Sequence, residues 1–178
     1  MSFFKKLFGR ADKPSTRTNE EIIAPQEQNK PKRTIFDFFQ IDLENIPDET
    51  FIKGEVETNS SGDTVQNYRK VLNYKECGIF DTIEIKIIGE NGKNVFFKSF
   101  QPDSIKKDAL RKLIDDLYLI HGNDSSDKGR FINKDIEDYN DREFNMLFGR
   151  RWMDSSKYKN PVTIRRDEDE VSISIWGL

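Results

Sequence analysis

Hydrophobic and polar positions alternate with a period of two through residues 79–88. The odd positions read Ile79, Asp81, Ile83, Ile85 and Ile87, and the even ones Phe80, Thr82, Glu84, Lys86 and Ile88. Strand side chains point to opposite faces in turn, so β-branched alternation of this kind predicts a half-buried strand. Gly89, Glu90, Asn91 and Gly92 supply turn chemistry, and Val95, Phe96, Phe97 and Phe100 resume the apolar pattern, which predicts a hairpin. In its second strand Val95 and Phe97 point one way while Phe96 and Phe100 point the other, so the pattern leaves the buried face open.

The period then changes. Pro102 stops the strand, Asp103 or Ser104 can cap a helix start, and Ile105, Ala109, Leu110, Leu113, Ile114, Leu117 and Ile120 recur at three- and four-residue intervals. That spacing makes one apolar stripe on a helix running from Asp103 to His121, with charged residues on its other side and Gly122 placed to end it. Neither strand nor helix can bury its apolar side alone, so each is expected to cover the other.

Weaker patterns flank this pair. Thr34 and Asp37 fit a capping box ahead of the apolar stretch Ile35, Phe36, Phe38, Phe39, Ile41, Leu43 and Ile46, predicting a short helix packed on the sheet. Residues 51–58 and 65–76 predict a second hairpin around Asn59 to Asp63, with Ile52 and Val56 on one face of its first strand and Tyr68, Leu72 and Tyr74 on one face of its second. Residues 122–135 read as a polar loop, and 141–149 as a short helix carrying Phe144, Leu147 and Phe148. A last hairpin sets Val162 and Ile164 against Val171, Ile173 and Ile175, across the acidic turn Asp167 to Glu170. The expected fold is α+β: an antiparallel sheet, made of a four-stranded meander plus a C-terminal hairpin, covered on one face by one long helix, with one or two short helices.

Composition refines this picture. A chain of 178 residues suits one ordinary domain, assigned here to residues 34–178. No apolar run approaches the ~20 residues needed to cross a bilayer. A single cysteine, Cys77, excludes an internal disulfide, and no hydrophobic leader is visible, so the protein is expected in the cytoplasm. Charge is unevenly spread: residues 1–34 hold 8 Lys or Arg against 4 Asp or Glu, and the other 144 hold 21 against 28. An acidic body opposes phosphate, so nucleic acid is not an expected partner.

Residues 11–33 have too few bulky apolar side chains to repay the entropy of ordering and read as a disordered tether. Ahead of it, residues 1–10 form a short basic and aromatic segment. On a helix Phe3, Phe4, Leu7 and Phe8 share a face with Lys5 and Lys6 at its edges, the pattern of an anchor for a partner or for the inner membrane face.

Candidate chemistry is sparse. With one histidine, His121, at a helix C-terminus, a nucleophilic triad has little to build on, and Cys77 with His121 falls short of a zinc ligand set. Asp124, Ser126, Gly129 and Asp135 occupy positions 1, 3, 6 and 12 of a calcium-loop template, but Lys128 stands where an oxygen ligand belongs, so no metal is assigned. Glu84-Ile85-Lys86 resembles the core of the PD-(D/E)xK nuclease signature, in which the carboxylate holds a divalent ion and the lysine positions water. Its upstream aspartate would be Asp48 or Asp81, the latter on the opposite strand face from Glu84, and alternating Glu and Lys equally clothe any solvent-facing strand. Arg150, Arg151 and Trp152 with Arg165 and Arg166 could make a basic and aromatic patch.

No catalytic residues and no cofactor are therefore assigned. The expected function is that of a non-enzymatic protein-binding module, immunity-, adaptor- or chaperone-like, whose partner is another protein engaged through an acidic surface or a sheet edge. The alternatives are a membrane-surface accessory protein anchored by residues 1–10 and a metal-dependent nuclease using Glu84 and Lys86.

Overall fold

A strand with an isoleucine-lined face needs partners on both sides and a cover on top, and the chain supplies both. A computed structural model describes residues 34–90, 92–141, 149–153 and 161–178. The fold is mixed α+β and mainly sheet. Strands β1 (Ile52–Thr58), β2 (Thr64–Glu76), β3 (Phe80–Ile88) and β4 (Gly92–Ser99) run in succession, followed later by β5 (Gly149–Trp152), β6 (Val162–Arg166) and β7 (Val171–Ile175). All pair antiparallel in one seven-stranded sheet of order β1-β2-β3-β4-β7-β6-β5, so the last strand lies at β4 and the two before it extend the sheet outward. Between β4 and β5 come α1 (Lys107–His121) and α2 (Asn133–Asn140). The anchor and tether expected in residues 1–33, and Phe144, Leu147 and Phe148 of the expected short helix, lie outside the described residues.

Directly opposed residues of an antiparallel ladder share a face. Ile83, Phe97, Ile173 and Ile164 are opposed in turn across four strands, as are Ile85, Val95, Ile175 and Val162. All eight are 0% exposed. The inner face of β4 is thus the one bearing Val95 and Phe97. Leu110, Leu113, Ile114, Leu117 and Ile120 of α1 join them in one hydrophobic core, each fully buried side chain contributing roughly 2 kcal/mol.

Several expectations are corrected. The helix begins at Lys107 rather than Asp103, because both expected caps are used elsewhere. Pro102–Ser104 form one 3-10 turn, the Asp103 carboxylate pairs with Arg166 at 2.6 Å, and the Ser104 hydroxyl donates to the Gln101 carbonyl. The helix ends as expected at Gly122, whose N–H makes the last bond to the Tyr118 carbonyl and whose φ of +82° then turns the chain out of the helix.

Residues 35–46 do not form a helix, although Thr34 and Asp37 make both bonds of the capping box. The Asp42 carboxylate takes the Glu44 N–H and the Asn45 amide, and the Lys93 ammonium draws the carbonyls of Leu43, Glu44 and Ile46 to 2.6, 3.1 and 3.3 Å. Those groups are unavailable to a helix ladder. The segment still seals the core: Ile35, Phe38, Phe39, Leu43 and Ile46 are buried, and Phe39 stacks on Phe97 with centroids 4.1 Å apart.

In β1 a bulge between Lys53 and Val56 breaks the expected shared face of Ile52 and Val56. Ile52 opposes Arg69 while Val56 opposes Gln66, on opposite sides of β2, and the bulge carbonyls of Gly54 and Glu55 are taken by the Gln66 and Asn67 side chains.

The region read as a polar loop ends in α2 at Asn133–Asn140, and an unexpected strand runs over Gly149–Trp152, while the short helix expected between them falls outside the described residues. One buried cluster explains both. Arg150, with its side chain 0% exposed, points inward from β5. Its Nε and Nη2 donate to the two oxygens of Asp135 on α2 at 3.0 and 2.7 Å, Nη1 to the Gly129 carbonyl at 2.6 Å, and Nη2 to the Arg130 carbonyl at 3.2 Å. Asp124 lies 3.4 Å from Nη1.

Removing one partner of such a cluster strands buried charge. Arg150→Ala is expected to cost about 3–5 kcal/mol in urea unfolding, with Arg150→Lys recovering only part of it because lysine lacks the bidentate fork. A loss under about 1 kcal/mol would show that the cluster does not hold the loop, α2 and β5 together.

Candidate functional site

From Ile83 onward in β3, and in β4 and β7, parity carries the odd-numbered residues to the core side, so their even-numbered neighbours face the other way, where no described element covers them; the start of β3, where the ladder with β2 is irregular, departs from this, and Phe80 is wholly buried in the core. Two rows cross this open face. Arg69, Glu84, Phe96, Ser174, Thr163 and Arg151 are opposed in turn from β2 to β5, and beside them run Val71, Thr82, Lys98, Ser172 and Arg165. Short hydroxyl side chains in the middle and long ones on either side leave a groove of about 350 Å³, lined also by Lys86, Trp176, Asp167 and Glu170. A second hollow of about 500 Å³ adjoins it where Glu84 and Lys86 meet Ile52, Gly54 and Asn67 under β1.

Most of the charge in the groove is internally matched. The Lys98 ammonium lies 2.8 Å from Glu84 and 3.1 Å from Glu170. Burial presses its pKa down, but hydrogen bonds and charge from these two carboxylates outweigh burial and hold it above the usual lysine value. Arg165 Nε donates to Asp167 at 2.7 Å. Trp176 gives its indole N–H to the Ser174 hydroxyl at 2.9 Å and meets the Phe96 ring edge-on at 5.6 Å, while Lys86 and Lys98 each stand 6.0 Å from that ring centre.

The candidate residues distribute as follows. Glu84 and Lys86 share the open face, but Asp81 lies on the opposite side, and Asp48 sits in the loop before β1. There its carboxylate accepts the hydroxyl and N–H of Thr50, bonds that hold its pKa below the ordinary aspartate value. Among the described residues no group of three or more His, Cys, Asp or Glu is placed to hold a metal ion. The calcium-loop residues are committed elsewhere: Asp124 accepts the N–H groups of Ser126 and Lys128, and the cation facing Asp124 and Asp135 is the Arg150 guanidinium.

The five-residue basic and aromatic patch is split by strand alternation. Arg150, Trp152 and Arg166 are 1%, 1% and 7% exposed and point into the core side, where Arg166 pairs with Asp103, donates to the Tyr139 carbonyl and lies 4.4 Å over the Tyr139 ring. Only Arg151 and Arg165 reach the open face. His121 ends α1 with its ring 6.4 Å from that of Trp152. Phe3, Phe4, Lys5, Lys6, Leu7 and Phe8 lie outside the described residues. Among the described residues no helix is long and apolar enough to cross a membrane.

Sequence reasoning missed Phe96, Lys98, Thr163, Ser172, Ser174 and Trp176 as one surface. The available signal was the alternation of Ser172, Ser174 and Trp176 with three buried residues; what it lacked was the knowledge that β7 pairs with β4.

Cys77 occupies the β2–β3 turn with φ of +52°, beside the buried Glu76. Burial first, and the Glu76 charge second, push its thiol up to about 12. The folded state therefore keeps a proton that the unfolded chain sheds near pH 9, so this residue's contribution to stability is present below that pH and lost as pH rises toward 12. Alkylation of the native protein by iodoacetamide at mildly alkaline pH is expected to run at least roughly ten-fold slower than in denaturant, and equal rates would contradict this environment.

No family model, curated protein or solved structure matches the chain.

Proposed function

We propose that the protein is a non-enzymatic binding module that takes up an extended segment of a partner protein along the β1 edge of its sheet. The observation that carries this is the exposure of β1: all seven of its residues are exposed, and among the described residues it pairs on one side only. An edge strand of this kind offers a row of backbone donors and acceptors to an incoming strand, each bond worth about 1 kcal/mol net. Ile52 and Val56, 75% and 60% exposed, and Val71 on the neighbouring strand at 68%, provide apolar contacts beside that row.

Selectivity comes from what guards the edge. The bulge and the charged side chains Lys53, Glu55 and Glu57 discourage indiscriminate pairing, so the segment accepted must match them in charge and register. The matched ion pairs of the open face favour the same reading, since its carboxylates are engaged by neighbouring cations, Glu84 and Glu170 by Lys98 and Asp167 by Arg165.

Tagged full-length protein should capture its partner from native cells. Capture is expected to fall at least roughly ten-fold in an Ile52→Glu, Val56→Pro variant and to persist in Lys106→Glu, an exposed position outside both the edge and the open face, with circular dichroism confirming that both remain folded. Partners recovered equally with the edge variant would overturn the proposal.

A further inference from the structure

The groove across the open face has a chemistry that the edge does not use. It is lined by four cations, Lys86, Lys98, Arg151 and Arg165, and three carboxylates, Glu84, Asp167 and Glu170. Lys98 holds Glu84 and Glu170, and Arg165 holds Asp167, so two of the cations account for all three acids. Among the described residues Lys86 and Arg151 have no carboxylate at ion-pair distance. On a chain of net charge −3 this is a local reversal of the field, set in a concave surface.

The two unmatched cations stand far apart. Lys86 is on β3 and Arg151 on β5, with β4, β7 and β6 between, so at about 4.8 Å per strand their backbones are about 19 Å apart. Between them lie the Ser174 and Thr163 side chains and, at the rim, Trp176, fixed by its bond to Ser174 and 43% exposed.

We propose that this groove binds an extended acidic peptide segment of a partner protein, laid across the strands, with one carboxylate on Lys86, another on Arg151 and an apolar side chain between them against Trp176. An extended peptide covers that span in about six residues. A fork of guanidinium donors suits the carboxylate at the Arg151 end. A nucleic acid strand of equal length carries a phosphate at every step and would set unmatched charge against Glu84, Asp167 and Glu170.

Intrinsic fluorescence reads the groove directly, because the other tryptophan, Trp152, is 1% exposed. Full-length protein is titrated at low salt with the amidated peptide Glu-Ser-Phe-Thr-Ser-Thr-Glu, whose two Glu and Phe share one face when extended, with the same peptide carrying Lys in place of both Glu, and with a short oligo-dT. The acidic peptide is expected to give a saturable shift that weakens at least roughly ten-fold in Lys86→Glu and in Arg151→Glu, fades with added salt, and is unchanged in the Ile52→Glu, Val56→Pro edge variant. In Trp176→Phe the optical signal disappears while calorimetry still detects binding. No saturable response, an equal response to the lysine peptide, or a response to oligo-dT alone would overturn the assignment, the last transferring the groove to nucleic acid.

Discussion

Among the described residues the sheet has one cover, which can dry only one of its faces, and the rest of the described fold follows from that constraint. From β3 through β6 the inner rows are built of Ile, Val and Phe with no measurable exposure, and α1 together with residues 35–46 seals them. Because strand side chains alternate, drying one face consigns every second residue to the other. Ser172, Ser174, Trp176, Phe96 and Lys98 are brought together on the open face by the burial of Ile173, Ile175, Val95 and Phe97 beneath them. The groove is in this sense a by-product of core packing.

Where the apolar rows give out, arginines take over. Arg150 and Arg166 occupy inward positions next to Ile164 and Val171; Arg150 gathers the Gly129 and Arg130 carbonyls and the Asp135 carboxylate, and Arg166 takes the Tyr139 carbonyl of α2 and the Asp103 carboxylate ahead of α1. Such clusters are strong against loss of one partner and weak as net sources of stability, so their consequence is geometric: they fix where the loop and α2 sit against the sheet. With Arg150 held inward, its neighbour Arg151 is held outward at the end of the groove. The same alternation that divides the basic patch places one of its members where a ligand can meet it.

What was legible in the sequence is what obeyed simple periodicity. The isoleucines of β3, the leucine stripe of α1 and the β6–β7 alternation each announced an element, and the helix stop at Gly122 was readable from residue type. The misses have particular causes. Residues 35–46 have helical spacing, but Asp42 and Lys93 take their backbone groups. Helix α2 buries Asp135 and Tyr139 rather than an apolar stripe, and β5 buries Arg150 beside Trp152, so a search for hydrophobic period passed over both. In β1 a one-residue bulge reversed half of the strand. The open-face groove was hidden for a different reason: its residues come from separate strands, and the order placing β7 beside β4 is a tertiary fact.

The two surfaces proposed for binding differ in kind. The β1 edge presents backbone and is the least buried strand, the part expected to open most readily, whereas the groove presents side chains on strands anchored in the core. Both depend on the sheet having one wet face. Hydroxyl-radical footprinting of the full chain, read residue by residue by mass spectrometry, tests this most directly. Trp176 and Phe100, 43% and 46% exposed, should oxidise readily, while Trp152, Phe80 and Phe97, at 1%, 0% and 0%, stay protected in the same molecule. Protection of Trp176 and Phe100 equal to that of Trp152 would mean that a second layer covers the open face, and would contradict the account.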